Sequence, residues 1–334
     1  MDSQFPRELA LLLSTSGTTG SPKLVRLSYE NVNSNAAAVA QYLGLKQSDR
    51  AITSLPMNYS YGLSVINSHL IVGASLVLTE DSVIDNSFWK TFNDEKVTSF
   101  AGVPYSYELL SKIDFENFSL PSLKYMTQAG GRLSEGMIKY FGGIAKRQGF
   151  KFYVMYGQTE ATARMSYLPP NKTLAYPSSI GIPIPGGKFE LIDESNNIIS
   201  EAGRTGELVY SGLNVMLGYA EKINDLFKNR EIEFLKTGDL AKYDENGLYY
   251  IVGRKSRFLK IFGNRIGLDD VENVINASGY SVICGGTDKL MIVMTRQKGC
   301  KDAIETLIKE MFGLTREYLE LLRLMISQFS RRVK

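Results

Sequence analysis

Two rhythms of apolar residues run through the first half of the chain. Short runs at 8–13 (ELALLL), 23–29 (KLVRLSY), 51–55, 74–79, 97–101, 123–128 and 151–155 are continuous or alternate with polar residues, and they predict strands. Between them, segments near 62–72, 86–95, 104–113 and 134–148 read as helices. A further helix through 33–42 has Ala36, Ala37, Val39, Ala40 and the adjoining Leu43 on one face, with Ser28 or Asn31 placed to cap it. Strands alternating with helices in this way predict an α/β sheet with crossover helices.

After Leu168 the pattern changes. Pro169, Pro170, Pro177, Pro183 and Pro185 crowd one stretch, and short strands at 187–192, 206–211, 239–243 and 247–252 follow, separated by Gly or Asn. This predicts β-rich packing, a small distorted barrel attached to the first sheet. From 256 onward the chain reads as α+β: helix 268–277, strands 280–284 and 290–294, and helix 301–312 with Ile304, Leu307, Ile308 and Met311 on one face. A boundary near Ser256 therefore divides the expected domains into 1–255 and 256–334. Neither internal repeats nor low-complexity tracts occur.

The length of 334 residues suits two domains at roughly 150 residues each. Lys plus Arg number 38 against 35 for Asp plus Glu, a formal charge of +3, too small a surplus for nucleic acid or an anionic membrane as the main partner. His69 is the one histidine, which removes histidine-rich metal sites and argues against a histidine-based hydrolase triad. Cys284 and Cys300 form no CxxC pair, so neither a zinc site nor a disulfide scaffold is expected, and a reducing compartment, the cytoplasm, fits best. The longest apolar stretch, 70–78 (LIVGASLVL), falls well short of the roughly 20 residues of a spanning helix. Arg7 and Glu8 precede the apolar run at 9–13, which reads as a buried strand and not as a signal peptide.

The most informative segment is Thr15-Ser16-Gly17-Thr18-Thr19-Gly20-Ser21-Pro22-Lys23. Glycines let the backbone turn its N–H groups inward, hydroxyls add donors and Lys23 adds positive charge, a combination suited to a triphosphate. A Walker A loop requires Lys-Ser/Thr directly after the last glycine, then a helix. Here Ser21 and Pro22 intervene, and a strand follows. A polar hairpin turn is the plainer alternative.

STSGTTGSPK resembles the phosphate loop of the ANL adenylate-forming enzymes, which comprise acyl-CoA synthetases, carrier-loading adenylation domains and luciferases. Further motifs follow in the family's order. Tyr156-Gly157-Gln158-Thr159-Glu160 is similar to Tyr-Gly-x-Thr-Glu; the resemblance implies that Tyr156 stacks on adenine, Thr159 contacts phosphate and Glu160 binds Mg²⁺. Ala129-Gly130-Gly131 resembles the small-residue turn that lets backbone approach adenine. Residues 179–186 (SIGIPIPG) and 206–208 (GEL) match structural signatures, Thr237-Gly238-Asp239 looks like the ribose site, and Arg254 like the arginine that joins it.

The resemblance implies an ANL large domain of mixed sheet, crossover helices and small barrel, followed by an α+β lid. It implies an acid–thiol ligase: ATP and Mg²⁺ convert a carboxylic acid to acyl-AMP with release of pyrophosphate, and CoA or a carrier-protein phosphopantetheine takes the acyl group. The catalytic residues would be Lys23, Thr159 and Glu160. Tyr59, in PMNYSYG, falls on the gate position of the acyl pocket, although it would serve equally as a half-buried tyrosine packed on a helix. Between Thr53 and Leu78 no acidic residue stands ready to pair with a substrate ammonium, so an α-amino acid is disfavoured and an acid with an uncharged chain fits better.

Three departures shape these expectations. The phosphate loop begins at residue 15, where the family carries a large amino-terminal subdomain, so a fragment or a separate chain covering the open face is expected. The hinge position holds Ser256 in place of Asp or Lys, with Lys260 and Gly263 matching the lid motif after it, although Lys260 also reads as a solvated strand residue. The family's late Gly-Lys is absent after Ser256, which implies impaired adenylation. A truncated, catalytically silent homologue that binds nucleotide or a partner chain is the alternative reading.

Overall fold

The computed structural model describes residues 7–14, 23–255, 257–261, 264–287 and 289–323. Strands β1 (Leu9–Ser14) and β2 (Leu24–Ser28) pair antiparallel, with Leu13 opposite Val25. Helix α1 (Tyr29–Leu43) follows without a linker. Ser28 Oγ accepts from the Asn31 N–H at 3.0 Å and Asn31 Oδ1 accepts from the Ser28 N–H at 2.8 Å, so both expected capping residues act in one reciprocal box. Gly44, at φ 69°, ends the helix.

The next elements alternate as the pattern predicts: β3 (Arg50–Ile52), α2 (Ser60–Leu70), β4 (Ser75–Val77), α3 (Asn86–Asp94), β5 (Ser99–Gly102), α4 (Pro104–Leu110), β6 (Tyr125–Gln128), α5 (Glu135–Gln148) and β7 (Lys151–Tyr156). With β8 (Ser166–Leu168) and β9 (Ile182–Pro183) they form a seven-stranded sheet, ordered β4-β3-β5-β6-β7-β8-β9. Pairing is parallel as far as β7 and antiparallel beyond it. The period-two alternation sends each strand's residues to two buried faces. Phe100, Met126, Phe152 and Val154 join Phe88, Trp89, Phe92, Tyr107 and Phe141 in one core. Ala101, Tyr125, Tyr153 and Met155 join Val39, Leu43 and Tyr61 in another, with Tyr42, Tyr59 and Tyr167 packed against it.

β1 and β2 do not enter this sheet. Their third partner is β12 (Gly218–Ala220), which returns to pair antiparallel with β2, Tyr219 opposite Val25. β10 (Lys188–Ile192), β11 (Gly206–Ser211), β13 (Phe234–Tyr243) and β14 (Tyr249–Arg254) form a four-stranded sheet, the β-rich region that the proline-broken pattern announces.

The chain divides into two compact units, 1–237 with 242–250, and 238–241 with 251 onward; β13 and β14 carry residues of both. In the second unit, β15 (Phe258–Ile261) and β16 (Asn264–Gly267) form an antiparallel hairpin. Helix α6 (Leu268–Ala277), β17 (Val282–Thr287), β18 (Leu290–Thr295), α7 (Lys301–Phe312) and β19 (Leu319–Arg323) complete it, with β18 central in a three-stranded sheet. Val271, Ile275, Met291, Val293, Ile304 and Ile308 fill its core. Met311, expected on the apolar face of α7, is 60% exposed because the last turn runs out into Gly313. Among the described residues no helix is long and apolar enough to cross a membrane.

Candidate active site

Parallel strand β7 ends at Tyr156, and the chain then makes a tight, heavily cross-braced turn. A Cβ on Gly157 would lie 1.8 Å from the Ala163 carbonyl oxygen, so only glycine fits there. Thr159–Ala161 is a single 3₁₀ turn, and Thr162 leaves it at φ 68° and ψ −42°, a positive-φ conformation uncommon for a β-branched residue. Neighbouring groups hold that strain. Thr162 Oγ1 donates to the Asn214 carbonyl at 2.8 Å, Asn214 Nδ2 donates to the Ala161 carbonyl at 2.8 Å, and Tyr210 Oη donates to Asn214 Oδ1 at 2.9 Å. The Met216 N–H reaches the Glu160 carbonyl at 2.9 Å.

This bracing aims two side chains. Thr159 Oγ1 lies 3.2 Å from Ser60 Oγ at the start of α2. Glu160 Oε1 accepts from Tyr219 Oη at 2.9 Å. Burial, followed by the Glu160 charge, pushes the Tyr219 hydroxyl well above its ordinary pKa, so it remains a donor at neutral pH. Lys23 Nζ sits 5.8 Å from the Tyr219 ring centroid and 2.8 Å from Glu221 Oε1. Tyr219 therefore touches both Lys23 and Glu160. No sequence signal marked it, because a three-residue strand is too short to show a period. Asn214 was missed for a similar reason: its role lies in carbonyls far away along the chain.

On the other side of Thr159, Tyr59 precedes α2 and lies against Gly130. A Cβ on Gly130, which sits at φ 79°, would be 2.4 Å from Tyr59 Oη. Gly131 accepts at its carbonyl from Gln128 Nε2 at 2.7 Å. Gln158 Nε2 donates to the Thr237 carbonyl at 3.0 Å and approaches Tyr156 Oη at 3.4 Å. In the second unit, Arg254 Nε donates to Asp239 Oδ1 at 2.9 Å, pairing the two candidate ribose residues; Asp239 is buried and Arg254 exposed. The Arg254 N–H donates to Asp269 Oδ2 at 2.7 Å. Thr15, Ser16, Gly17, Thr18, Thr19, Gly20, Ser256 and Gly263 lie outside the described residues, as does the side chain of Lys260 in β15.

Among the described residues no three His, Cys, Asp or Glu side chains gather as a self-contained metal site. The first unit offers a lysine and a half-buried carboxylate at one tyrosine, with the hydroxyl of Thr159 next to the carboxylate in sequence, a donor set for a polyphosphate and a hard cation.

Residues 2–220 match the family model described as AMP-binding enzyme, well over half of the chain. The chain belongs to the AMP-binding family, within the ANL adenylate-forming enzymes. Among curated members of this family, it is 28% identical over 270 residues to the 2-succinylbenzoate–CoA ligase of Bacillus pumilus, covering 80% of this chain and 53% of that one. It is 29% identical over 280 residues to tyrocidine synthase 2 of Brevibacillus parabrevis, covering 81% of this chain and 8% of the synthase. The O-succinylbenzoate coenzyme A synthetase of Bacillus subtilis, solved with AMP, superposes with a TM-score of 0.76 at 25% identity, over 96% of this chain and 66% of that one. A structure of the same synthetase with ATP and magnesium ion gives 0.75 at 24%, over 95% and 67%. The chain thus spans about half the length of the CoA ligases it matches.

Proposed function

We propose that this AMP-binding chain activates a carboxylic acid with ATP as an acyl-adenylate, releasing pyrophosphate, and passes the acyl group to a thiol, either CoA or a carrier-protein phosphopantetheine. The observation that carries this reading is the convergence of Lys23 and Glu160 on Tyr219, with the adjoining Thr159 hydroxyl set against Ser60. A carboxylate is a poor electrophile, and attack on the α-phosphate in line with departing pyrophosphate converts it into one with AMP as leaving group. Side chains contribute position and charge neutralisation.

Lys23 and the loop from Thr15 to Gly20 take the β- and γ-phosphates, and Thr159 stands beside the α-phosphate. Glu160 holds Mg²⁺. Its Oε1 is fixed by Tyr219 and its Oε2 has no partner among the described residues, which suits an ion that takes one or two carboxylates and completes its shell with phosphate and water. When bound, the ion neutralises charge on the leaving pyrophosphate. Tyr156, Gly157, Gln158, Gly130 and Gly131 bound the adenine, Asp239 and Arg254 take the ribose, and Tyr59 gates the acid. By the resemblance, residues 256–334 would serve as the lid, with Ser256 at the hinge position and Lys260 and Gly263 in the lid motif. The similarity to CoA ligases and to a synthetase solved with AMP supports this reading. The buried free thiols of Cys284 and Cys300 support a reducing, cytoplasmic setting.

Carboxylate-dependent exchange of labelled pyrophosphate into ATP tests the reading. Exchange is expected to need both an acid and Mg²⁺, and to fall about 100-fold or more in Lys23→Ala and in Glu160→Gln. Tight binding of Mg-ATP without exchange across a panel of aliphatic, aromatic and dicarboxylic acids would overturn the ligase assignment.

A further inference from the structure

Arg26 lies on β2, just beyond Lys23, with its side chain wholly buried. A guanidinium taken out of water needs acceptors, and this one finds them on a single distant loop. Nη1 donates to the Lys228 carbonyl at 2.6 Å and Nη2 to Glu231 Oε2 at 3.0 Å, with the Leu217 and Asn229 carbonyls each 3.4 Å from Nη2. Lys228 Nζ in turn lies 3.4 Å from Glu231 Oε1 and 3.2 Å from Asp225 Oδ1. Asp225 Oδ2 accepts from the Glu221 and Lys222 N–H groups at 2.9 and 3.0 Å. Residues 221–231 are thus laced by alternating charges and tied through Arg26 to the strand that follows the phosphate loop.

What this loop encloses is β12. The Leu217 N–H donates to the Arg26 carbonyl at 2.9 Å, and the Glu231 N–H donates to the Leu217 carbonyl at 2.8 Å, so the approach to β12 is gripped from both sides. Gly218 faces Arg26 across the ladder, and a Cβ on it would lie 2.5 Å from Glu231 Oε2 and 2.8 Å from Arg26 Nη2. The ion pair therefore rests directly on the strand. The next residue is Tyr219, whose hydroxyl donates to Glu160. Three ladder residues leave a strand room to shift, whereas a group that orients a metal ligand has to be held to within about 0.5 Å.

We propose that Arg26 and Glu231 are positioning residues for Mg²⁺: their ion pair seats β12 so that Tyr219 presents its hydroxyl to Glu160. The inference rests on the acyl-adenylating reading, in which Glu160 holds the ion, and deepens it. Neither residue touches nucleotide or metal; both act through Tyr219. Asp225 holds the Glu221 end of the loop, and with it the partner of Lys23, independently of Glu231. The metal-independent grip on phosphate is therefore separate from this pair.

Equilibrium binding of α,β-methylene-ATP by calorimetry, in Mg²⁺ and in EDTA, tests this without turnover. Glu231 is the residue to change, because its side chain is 43% exposed and its removal opens no cavity. Glu231→Ala stands one step further from the metal than Tyr219→Phe. It is expected to weaken binding in Mg²⁺ about 3- to 10-fold and to leave the affinity in EDTA unmoved. Glu231→Gln, which can still accept from Arg26, is expected to weaken it less. In a Tyr219→Phe background Glu231→Ala is expected to add nothing, since the route to Glu160 is already cut. An unchanged Mg²⁺ enhancement in Glu231→Ala, an equal fall in Mg²⁺ and in EDTA, or full additivity with Tyr219→Phe would overturn the proposal. Should Glu231→Ala fail to fold, Glu231→Gln in both backgrounds decides by the same criteria. A wild-type chain that binds the nucleotide equally in Mg²⁺ and EDTA would strike the assignment of the ion to Glu160, and the proposal with it; binding in neither would strike the ligase reading itself.

Discussion

The two faces of the seven-stranded sheet are built from the same strands by the same alternation, yet they are chemically unlike. On one side, rings without hydroxyls dominate: Phe88 meets Phe100 edge-on at 6.2 Å, Trp89 lies 5.4 Å from Phe115, and Phe141 meets Tyr107 at 4.9 Å. The polar atoms there are tied off, Trp89 Nε1 to the Val83 carbonyl at 2.8 Å and Tyr107 Oη to the Thr127 carbonyl at 2.7 Å. On the other side, tyrosines replace phenylalanines and enclose Arg164 and His69, with Arg164 Nε and the nearby Asn35 Oδ1 lacking partners. Both faces exclude water. The first ties off its polar atoms, whereas the second keeps two of them, Arg164 Nε and Asn35 Oδ1, without partners among the described residues.

The sharpest way to break this comparison is to remove a ring from the dry face. Phe141→Ala, fully buried among Tyr107, Phe115, Phe152 and Tyr140, is expected to cost about 3–5 kcal/mol in urea unfolding, with nucleotide affinity unchanged in the fraction that stays folded. A loss below about 1 kcal/mol would show that the dry face is not the structural one. A smaller and opposite signature is expected from Tyr219→Phe. The ring stays, β12 stays paired, and the unfolding midpoint moves little, but Glu160 loses the donor at 2.9 Å that orients it. The Mg²⁺ needed for half-maximal pyrophosphate exchange should rise about tenfold, as is usual when the group behind a metal ligand is removed. An unchanged Mg²⁺ requirement would separate Tyr219 from the site.

How much of this was legible beforehand follows from length and period. The strands and helices of the large sheet show in the sequence because each runs for several residues with one face apolar. Strands β8, β9 and β12 span two or three residues and carry no period, so the return of Tyr219 to β2 was invisible. Lys23, Thr159 and Glu160 stood out through local spacing. The groups that organise them, Tyr219 and Asn214, act on residues more than fifty positions away. Arg164 had no readable signal at all: an arginine in a polar turn is ordinarily solvated, and only three-dimensional burial makes it unusual.

The mildest test concerns the tyrosine face alone and needs no substrate. Tyr153 is 3% exposed, its ring 6.1 Å from Tyr42 and 6.2 Å from Tyr125, and burial pushes its hydroxyl up to about 12. A phenol in the unfolded chain ionises near pH 10, below the folded value, so the unfolded state releases its proton first as pH rises. Stability from this group is therefore fully present below about pH 10 and lost as pH climbs toward 12, and Tyr42, Tyr61 and Tyr125, raised by the same burial, steepen the slope. Urea midpoints are expected to fall across that alkaline window, and Tyr153→Phe to fall less steeply than the wild-type chain while matching it near pH 8. Identical slopes in the two proteins would mean that the Tyr153 hydroxyl is already solvated, and the face that holds Arg164 would then be wetter than its packing implies.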